Sequence, residues 1–124
     1  MSIDAFENIL LEDTFVLSWD QSPSSLTFHV LASLLKTHPA ASQPAEDEWA
    51  CYKPGIIEFS GTSSVTGLIR QDSVKCTTDS DGAVDYGCID SLDVIRPGEF
   101  RIAGEFGIVT IHAKDVSLTL SSAV

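Results

Sequence analysis

The residues of this chain that are able to do chemistry are concentrated in one acidic segment. Residues 79–93, DSDGAVDYGCIDSLD, contain five carboxylates and no basic side chain. The five are Asp79, Asp81, Asp85, Asp90 and Asp93. Carboxylates at this density can coordinate a hard cation, attract a basic protein or, as a pair with separated pKa values, catalyse hydrolysis. The segment therefore predicts where a site lies and leaves three kinds of site open.

Part of this segment resembles a calcium-binding loop of the EF-hand type. Gly82 matches the glycine at the sixth position of such a loop. Asp79, Asp81 and Asp85 then fall at the third, fifth and ninth positions, whereas the first and twelfth positions lack the expected acids. One prediction is therefore a weak Ca²⁺ site at these three aspartates. The other is a β-hairpin turn at Asp81-Gly82 with solvated acids around it.

Other site chemistries find little support in the residue spacing. The three cysteines, Cys51, Cys76 and Cys88, and the three histidines show none of the paired spacings typical of zinc sites. The sequence contains no GxSxG nucleophile motif and no glycine-rich phosphate-binding motif. A carboxylate-based hydrolase is a further alternative, and no cofactor is predicted. The candidate residues for that hydrolase are Glu58, Asp85, Asp90 and Glu105.

The overall charge favours a basic partner. The chain carries 18 acidic residues against 7 lysines and arginines, a net charge of −11. Such a chain repels phosphate backbones and anionic lipid surfaces, so we predict binding to neither nucleic acid nor membrane. The leading prediction is a non-enzymatic interaction module for a basic protein, comparable in strategy to immunity proteins and inhibitors. Its predicted surface combines the five aspartates of residues 79–93 with Trp49, an aromatic anchor that follows three acids.

The composition predicts a cytoplasmic location. An odd number of cysteines at wide spacing does not indicate a disulfide framework, so we expect free and mostly buried thiols in a reducing compartment. The first seven residues, MSIDAFE, carry acids where a secretory signal needs basic residues. The sequence also has no apolar run of the ~18 residues that a membrane span requires.

Alternating hydrophobicity predicts an all-β fold around the acidic segment. Apolar residues at every second position, from 15 to 19 and again from 26 to 30, indicate two strands joined by the turn residues DQSPS. Pro97-Gly98 is typical of a type II turn. Many short strands with frequent turns favour an antiparallel β-sandwich, with a partly open β-barrel as the alternative. Further strands are predicted at 49–60, 65–70, 74–77, 84–88, 92–95, 100–103, 109–112 and 116–120.

The length of the chain suits a single domain over residues 1–124. A mean hydropathy of +0.15 is compatible with a buried core. The first dozen residues are predicted to form a short helix or arm, because Ile3, Phe6 and Ile9 fall on one helical face. Residues 37–48, THPAASQPAEDE, contain two prolines and no large apolar side chain, so they predict a mobile loop.

Overall fold

The computed structural model describes residues 6–35, 51–78, 82 and 84–120. The predicted loop at 37–48 therefore lies outside the described residues, as do the first five residues. Within the described ranges the chain forms ten strands and two single turns of 3₁₀-helix, at Leu11–Asp13 and Gln71–Ser73. The strands are β1 (Phe15–Ser22), β2 (Ser25–Leu34), β3 (Cys51–Ser60), β4 (Ser64–Thr66), β5 (Thr77–Thr78), β6 (Val84–Asp85), β7 (Ser91–Arg96), β8 (Glu99–Gly104), β9 (Gly107–His112) and β10 (Asp115–Leu120).

The strands form two four-stranded antiparallel sheets and one small hairpin. The first sheet has the order β1-β2-β3-β10, and the second has the order β4-β9-β8-β7. Strands β5 and β6 pair only with each other. The sheets do not close into a barrel over the described part of the chain, so the predicted all-β sandwich is confirmed.

The core lies between the two sheets and is built on period-two burial. Every second side chain of β2 is buried; these are Leu26, Phe28, Val30, Ala32 and Leu34. Phe28 contacts Phe106 of the second sheet with ring centroids 4.8 Å apart. Phe59 contacts Phe100 across the core at 5.5 Å. Because full burial of one such apolar side chain is worth about 1.5–3 kcal/mol, these aromatic contacts hold the two sheets together.

Two adjacent connections carry the chain between the sheets. Residues 61–63 join β3 to β4, and residues 113–114 join β9 to β10. The N–H of Lys114 donates to the carbonyl of Ser60 at 2.9 Å, and the N–H of Ser63 donates to the carbonyl of His112 at 2.8 Å. The β3–β4 and β9–β10 pairs therefore cross together as one bent ribbon, which places β10 at the edge of the first sheet.

The strand predicted at 65–70 is wrong beyond Thr66. Gly67 has φ of 92°, and a Cβ there would lie 2.1 Å from the carbonyl oxygen of Ile108, so only glycine fits. The chain then turns towards the first sheet. The indole N–H of Trp19 donates to the carbonyl of Ile69 at 3.0 Å, and the side chain of Gln71 accepts the Trp19 backbone N–H at 2.8 Å. These bonds hold residues 67–73 against β1.

The N-terminal segment is an arm over its described part. Ile9 forms an isolated β-bridge to Leu34, and the N–H of Leu10 donates to the carbonyl of Ser33 at 2.9 Å. Only one 3₁₀ turn follows, at Leu11–Asp13. From residue 6 onward the segment is therefore an arm with isolated turns and not a regular helix, because only part of its backbone bonds to itself and the rest bonds to the end of β2.

The strands predicted at 92–95, 100–103 and 109–112 are confirmed, and they form the hairpins β7–β8 and β8–β9. Strands β7 and β8 are joined by Pro97-Gly98, where Gly98 has φ of 84°. Strands β8 and β9 are joined by Glu105-Phe106, and the Phe106 ring is fully buried. Local turn chemistry and alternation were sufficient for these hairpins because strand and turn are adjacent in the sequence.

Candidate functional site

The structure describes only part of the predicted acidic surface. Asp79, Asp81 and Trp49 lie outside the described residues. Asp85 and Asp90 flank one short segment, whereas Asp93 lies on β7 and is exposed. The predicted surface therefore divides into positions around residues 85–90 and one position on the second sheet.

The predicted hairpin turn fits the strands that flank it. Thr77 pairs with Asp85 and Thr78 pairs with Val84, so the residues between them connect two antiparallel strands. Gly82 has φ of 90°, the left-handed region that favours glycine. The Oδ1 atom of Asp85 accepts the backbone N–H of Gly87 at 2.8 Å, which orders the exit from the hairpin.

After this hairpin the chain runs along the outer edge of β1. The N–H of Val16 donates to the carbonyl of Gly87, and the N–H of Tyr86 donates to the carbonyl of Val16, each at 2.8 Å. Cys88 then forms an isolated bridge to Phe15. This pairing extends the first sheet by one irregular strand and brings Asp85 and Asp90 to its border.

The negative charges of three carboxylates act on the Cys88 thiol. Burial raises the pKa of Cys88, and the negative charges of Asp13, Asp85 and Asp90 raise it further, in that order. We call these three carboxylates the acidic patch. Cys88 is partly buried, but Cys76 is exposed, so the expectation of mostly buried thiols is wrong for Cys76.

Asp13 is held in the acidic patch by two hydroxyl groups. Its Oδ2 atom accepts hydrogen bonds from Tyr52 Oη at 2.5 Å and from Ser33 Oγ at 3.0 Å. Burial, followed by the hydrogen bond and charge of Asp13, raises the pKa of Tyr52 to about 12. Sequence reasoning missed Asp13, because nothing in its local sequence indicates a contact with Tyr52, 39 positions away.

The acids of the patch differ from those of the second sheet in their partners. Among the described residues, Asp13, Asp85 and Asp90 form no ion pair with a basic side chain. By contrast, Glu99 accepts from Arg96 Nε at 3.0 Å. Asp93 lies directly opposite Arg101 in the β7–β8 register. The negative charge of the patch is therefore not locally neutralised.

An apolar groove lies on the outer face of the first sheet. It has a volume of about 420 Å³. Its lining consists of Leu17, His29, Val30, Pro54, Gly55, Ile56, Thr119 and Leu120. The register shift between Val16 and Ser18 turns Leu17 outwards, where it is 37% exposed, and Ile56 is 39% exposed. Since Leu17 and Phe15 belong to the same strand, the groove and the acidic patch are neighbours along β1.

A second groove, of about 500 Å³, lies where residues 68–72 cross β1. It is lined by Asp20 and Asp72 among other polar side chains, so it contains a pair of carboxylates. Asp72 already accepts from Arg70 Nη2 at 2.8 Å, and Asp20 lies 3.3 Å from His29. Glu58, Asp85, Asp90 and Glu105, the residues predicted for a carboxylate hydrolase, line neither groove.

A row of polar side chains crosses the outer face of the second sheet. Ser64 Oγ and His112 Nδ1 are 2.6 Å apart, and His112 Nε2 lies 3.5 Å from Glu99 Oε1. These residues are register partners on β4, β9 and β8. A hydroxyl, an imidazole and a carboxylate in line can relay a proton, but none of the three lines either groove.

Within the described ranges, no three His, Cys, Asp or Glu side chains converge as metal ligands. The predicted Ca²⁺ site at Asp79, Asp81 and Asp85 stays a prediction, because two of its residues lie outside those ranges. A rise in melting temperature on adding millimolar Ca²⁺ would support it. In the same part of the chain, no helix has the length and apolarity needed to cross a bilayer.

Comparison with known proteins gives no relative from which a function can be transferred: no family model matches the chain, and no curated protein or solved structure matches it significantly.

Proposed function

We propose that this protein is a non-enzymatic interaction module that binds a basic protein through the acidic patch and the adjoining apolar groove. The single observation that carries the proposal is that the pairing of residues 86–89 with the edge of β1 brings Asp85 and Asp90 to the border of the sheet that Asp13 precedes, and that none of the three forms an ion pair among the described residues. A cationic partner gains attraction to these three carboxylates on binding.

The charge of the whole chain supports the same partner chemistry. With a net charge of −11, the protein attracts cationic surfaces at long range and repels phosphate-rich ones. Complementary charges mainly accelerate association and select the partner. The acidic patch then determines where on the protein the partner arrives.

The apolar groove supplies the contact that charge alone does not give. Leu17 and Ile56 are more than a third exposed, and a groove of this kind can enclose an apolar or aromatic anchor of a partner. A central apolar contact bordered by charged groups is the usual arrangement of a specific interface. The partner surface we expect is therefore an apolar side chain next to several lysines or arginines.

The remaining predicted residues extend this proposal. Asp79 and Asp81 belong to the connection between β5 and β6, next to Asp85 in the sequence, and would add to the charge of the patch. Trp49 remains a proposed aromatic anchor. Asp93 lies opposite Arg101, so we assign it a smaller share of the binding energy than Asp85 or Asp90.

A cytoplasmic setting is also part of the proposal. Cys76 and Cys88 are both free, and Cys76 is exposed. An exposed free thiol persists best in a reducing compartment. We expect the thiols of the purified protein to stay reduced under cytosolic glutathione conditions. Thiol titration measures this.

The experiment that tests the proposed function is a tagged capture from a lysate of the source organism at low and high salt. We expect one basic protein in stoichiometric amount, released by salt because the contacts are ionic. The Asp85→Lys/Asp90→Lys variant should lose it. The matched variant Asp72→Lys/Asp93→Lys, with the same charge change outside the acidic patch, should retain most of it. Capture by both variants alike would refute the assignment to the acidic patch.

A further inference from the structure

The four outer edges of the two sheets are protected to different degrees. An unpaired strand edge offers rows of N–H and C=O groups to another chain, and proteins normally block it. The edge of β1 is covered, since residues 86–89 donate to and accept from its backbone. Strand β4 has only three residues, Ser64–Thr66. Both edges are therefore poor sites for the addition of a further strand.

The remaining two edges, β7 and β10, differ from each other. Strand β7 carries the charges of Asp93 and Arg96 and has a register shift between Val94 and Arg96. Charges and bulges are devices that discourage strand addition. Strand β10 has neither device along its length: its register with β3 is unbroken from Asp115 to Leu120, and Asp115 is its only charged residue.

The side chains of β10 are also incompletely covered on the core side. Leu118 and Leu120 pack against the core but are only partly buried. On the opposite face, Ser117 and Thr119 are exposed. A further strand next to β10 would bury the two leucines and would leave short polar side chains facing water. Among the described edges, β10 is thus the one best suited to strand addition.

We propose that β10 pairs with β10 of a second copy of this chain, in antiparallel orientation about a two-fold axis. The two first sheets would then form one continuous eight-stranded sheet. This inference rests on the edge of the sheet and does not depend on the acidic patch. A symmetric contact uses the same surface twice, so the small polar residues of β10 contact small polar residues of the partner strand, and its leucines contact apolar side chains.

Local charge favours a second copy over the basic partner at this edge. The chain as a whole is strongly acidic, so two copies repel each other over most of their surfaces. At β10 the charge of Asp115 is balanced by the adjacent Lys114. This neutral strand is therefore a place where two copies can meet with little repulsion, and its edge offers no net negative charge to a cationic protein.

The alternation of side chains restricts the register of the pairing. A two-fold axis through any one residue keeps the apolar side chains of both copies on the core side, and an axis through Ser117 or through Leu118 pairs the most residues of Asp115–Leu120. An axis between two residues would place the leucines of one copy opposite the hydroxyl side chains of the other, on the wrong face. In both allowed registers, position 117 faces either position 117 or position 119 of the partner strand.

Sedimentation equilibrium of the full chain from micromolar to millimolar concentration tests this inference. The expected mass rises with concentration from 13.3 kDa towards twice that value. The Ser117→Lys/Thr119→Lys variant puts lysine opposite lysine in both allowed registers, so we expect the dissociation constant to rise about tenfold. Ser22→Lys/Ser24→Lys, on exposed residues at the end of β1 and in the following turn, adds the same charge elsewhere and should leave the dimer unchanged.

Hydrogen exchange supplies a second readout that is independent of the variants. Amide protection in β10 should increase with protein concentration, whereas protection in β4 should not. Circular dichroism confirms that each variant is folded. A monomer at every concentration, or a dimer that both lysine variants weaken equally, would overturn the inference.

Discussion

The outer faces of the two sheets differ in how their polar and charged groups find partners. On the second sheet, Ser64, His112 and Glu99 lie within hydrogen-bonding or ionic distance of one another across three strands, and Arg96 completes the row. Along the border of the first sheet, the acidic patch lacks such cations among the described residues, and an apolar groove lies beside it. The second face pairs Glu99 with Arg96 and His112, whereas the first leaves the carboxylates of the patch and an apolar groove available to another molecule.

The same difference appears in the next row of the second sheet. Thr66 pairs with Thr110, which pairs with Arg101, which in turn lies opposite Asp93. Asp93 is therefore a register partner of Arg101 on the neighbouring strand, although these two side chains form no ion pair. Net charge alone does not locate a binding surface, since an acid opposite a basic residue attracts a cationic partner less than an acid without one.

The largest expected effect comes from reversing charge in the acidic patch. Asp85→Lys/Asp90→Lys replaces attraction of the basic partner by repulsion, so we expect about a 100-fold loss of affinity. Asp72→Lys/Asp93→Lys should cost less than about threefold, because each aspartate already has or faces an arginine. Titration of the captured partner measures both. Equal losses would mean that total charge, and not the patch, controls binding.

The second effect concerns the apolar groove and leaves the charge unchanged. Leu17→Ser/Ile56→Ser removes exposed apolar surface next to the patch, and we expect about a 30-fold loss of affinity for the same partner. Ile95→Ser/Ile108→Ser makes a similar change on the second sheet, where these side chains are 40% and 69% exposed. If Ile95→Ser/Ile108→Ser lost as much affinity as Leu17→Ser/Ile56→Ser, the apolar contact could not be assigned to the groove on the first sheet.

A third effect compares one carboxylate from each face by its contribution to stability. Asp13→Ala leaves the hydroxyls of Tyr52 and Ser33 without their acceptor, at a cost of about 1–3 kcal/mol. Glu99→Ala breaks a pair with the exposed Arg96, for which we expect less than about 1 kcal/mol. Urea unfolding gives both values, and a reversed order would contradict the role assigned to Asp13.

The smallest effect is confined to alkaline pH. The folded state raises the pKa of Tyr52 from 10.0 to about 12, so it binds this proton more tightly than the unfolded chain. The resulting stabilisation is complete below pH 10 and disappears as the pH rises towards 12. Cys88, whose pKa is also raised, acts in the same direction above its ordinary value of 9.0. Tyr52→Phe should make stability fall less steeply over this range, as measured by urea unfolding.

Sequence reasoning predicted those strands and hairpins that local residue patterns determine. The β1–β2 and β7–β8 hairpins follow from alternation and turn residues within about twenty positions, and the sandwich follows from their number. The end of β4 at Thr66 depends on the contact between Gly67 and the Ile108 carbonyl, which only the packed fold creates. The arm likewise lacks a regular helix because its partner is β2, a strand that lies after it in the sequence.

The sequence predicted that the candidate site is acidic, but it did not predict which residues form the site. Asp85 and Asp90 belong to a visibly acidic segment, whereas Asp13 joins them only through the pairing of residues 86–89 with β1. Asp93 belongs to the same segment, yet its strand places it opposite Arg101. Proximity in the sequence therefore grouped Asp93 with Asp85 and Asp90, from which the fold separates it. It left out Asp13, which the fold brings to the same border of the sheet.

The most direct test of the central claim is calorimetric titration of the captured partner into the wild-type protein and the two charge-reversal variants, at low and high salt. We predict a salt-sensitive affinity that Asp85→Lys/Asp90→Lys abolishes and Asp72→Lys/Asp93→Lys preserves. An affinity that does not change with salt, or that survives reversal of Asp85 and Asp90, would contradict the account.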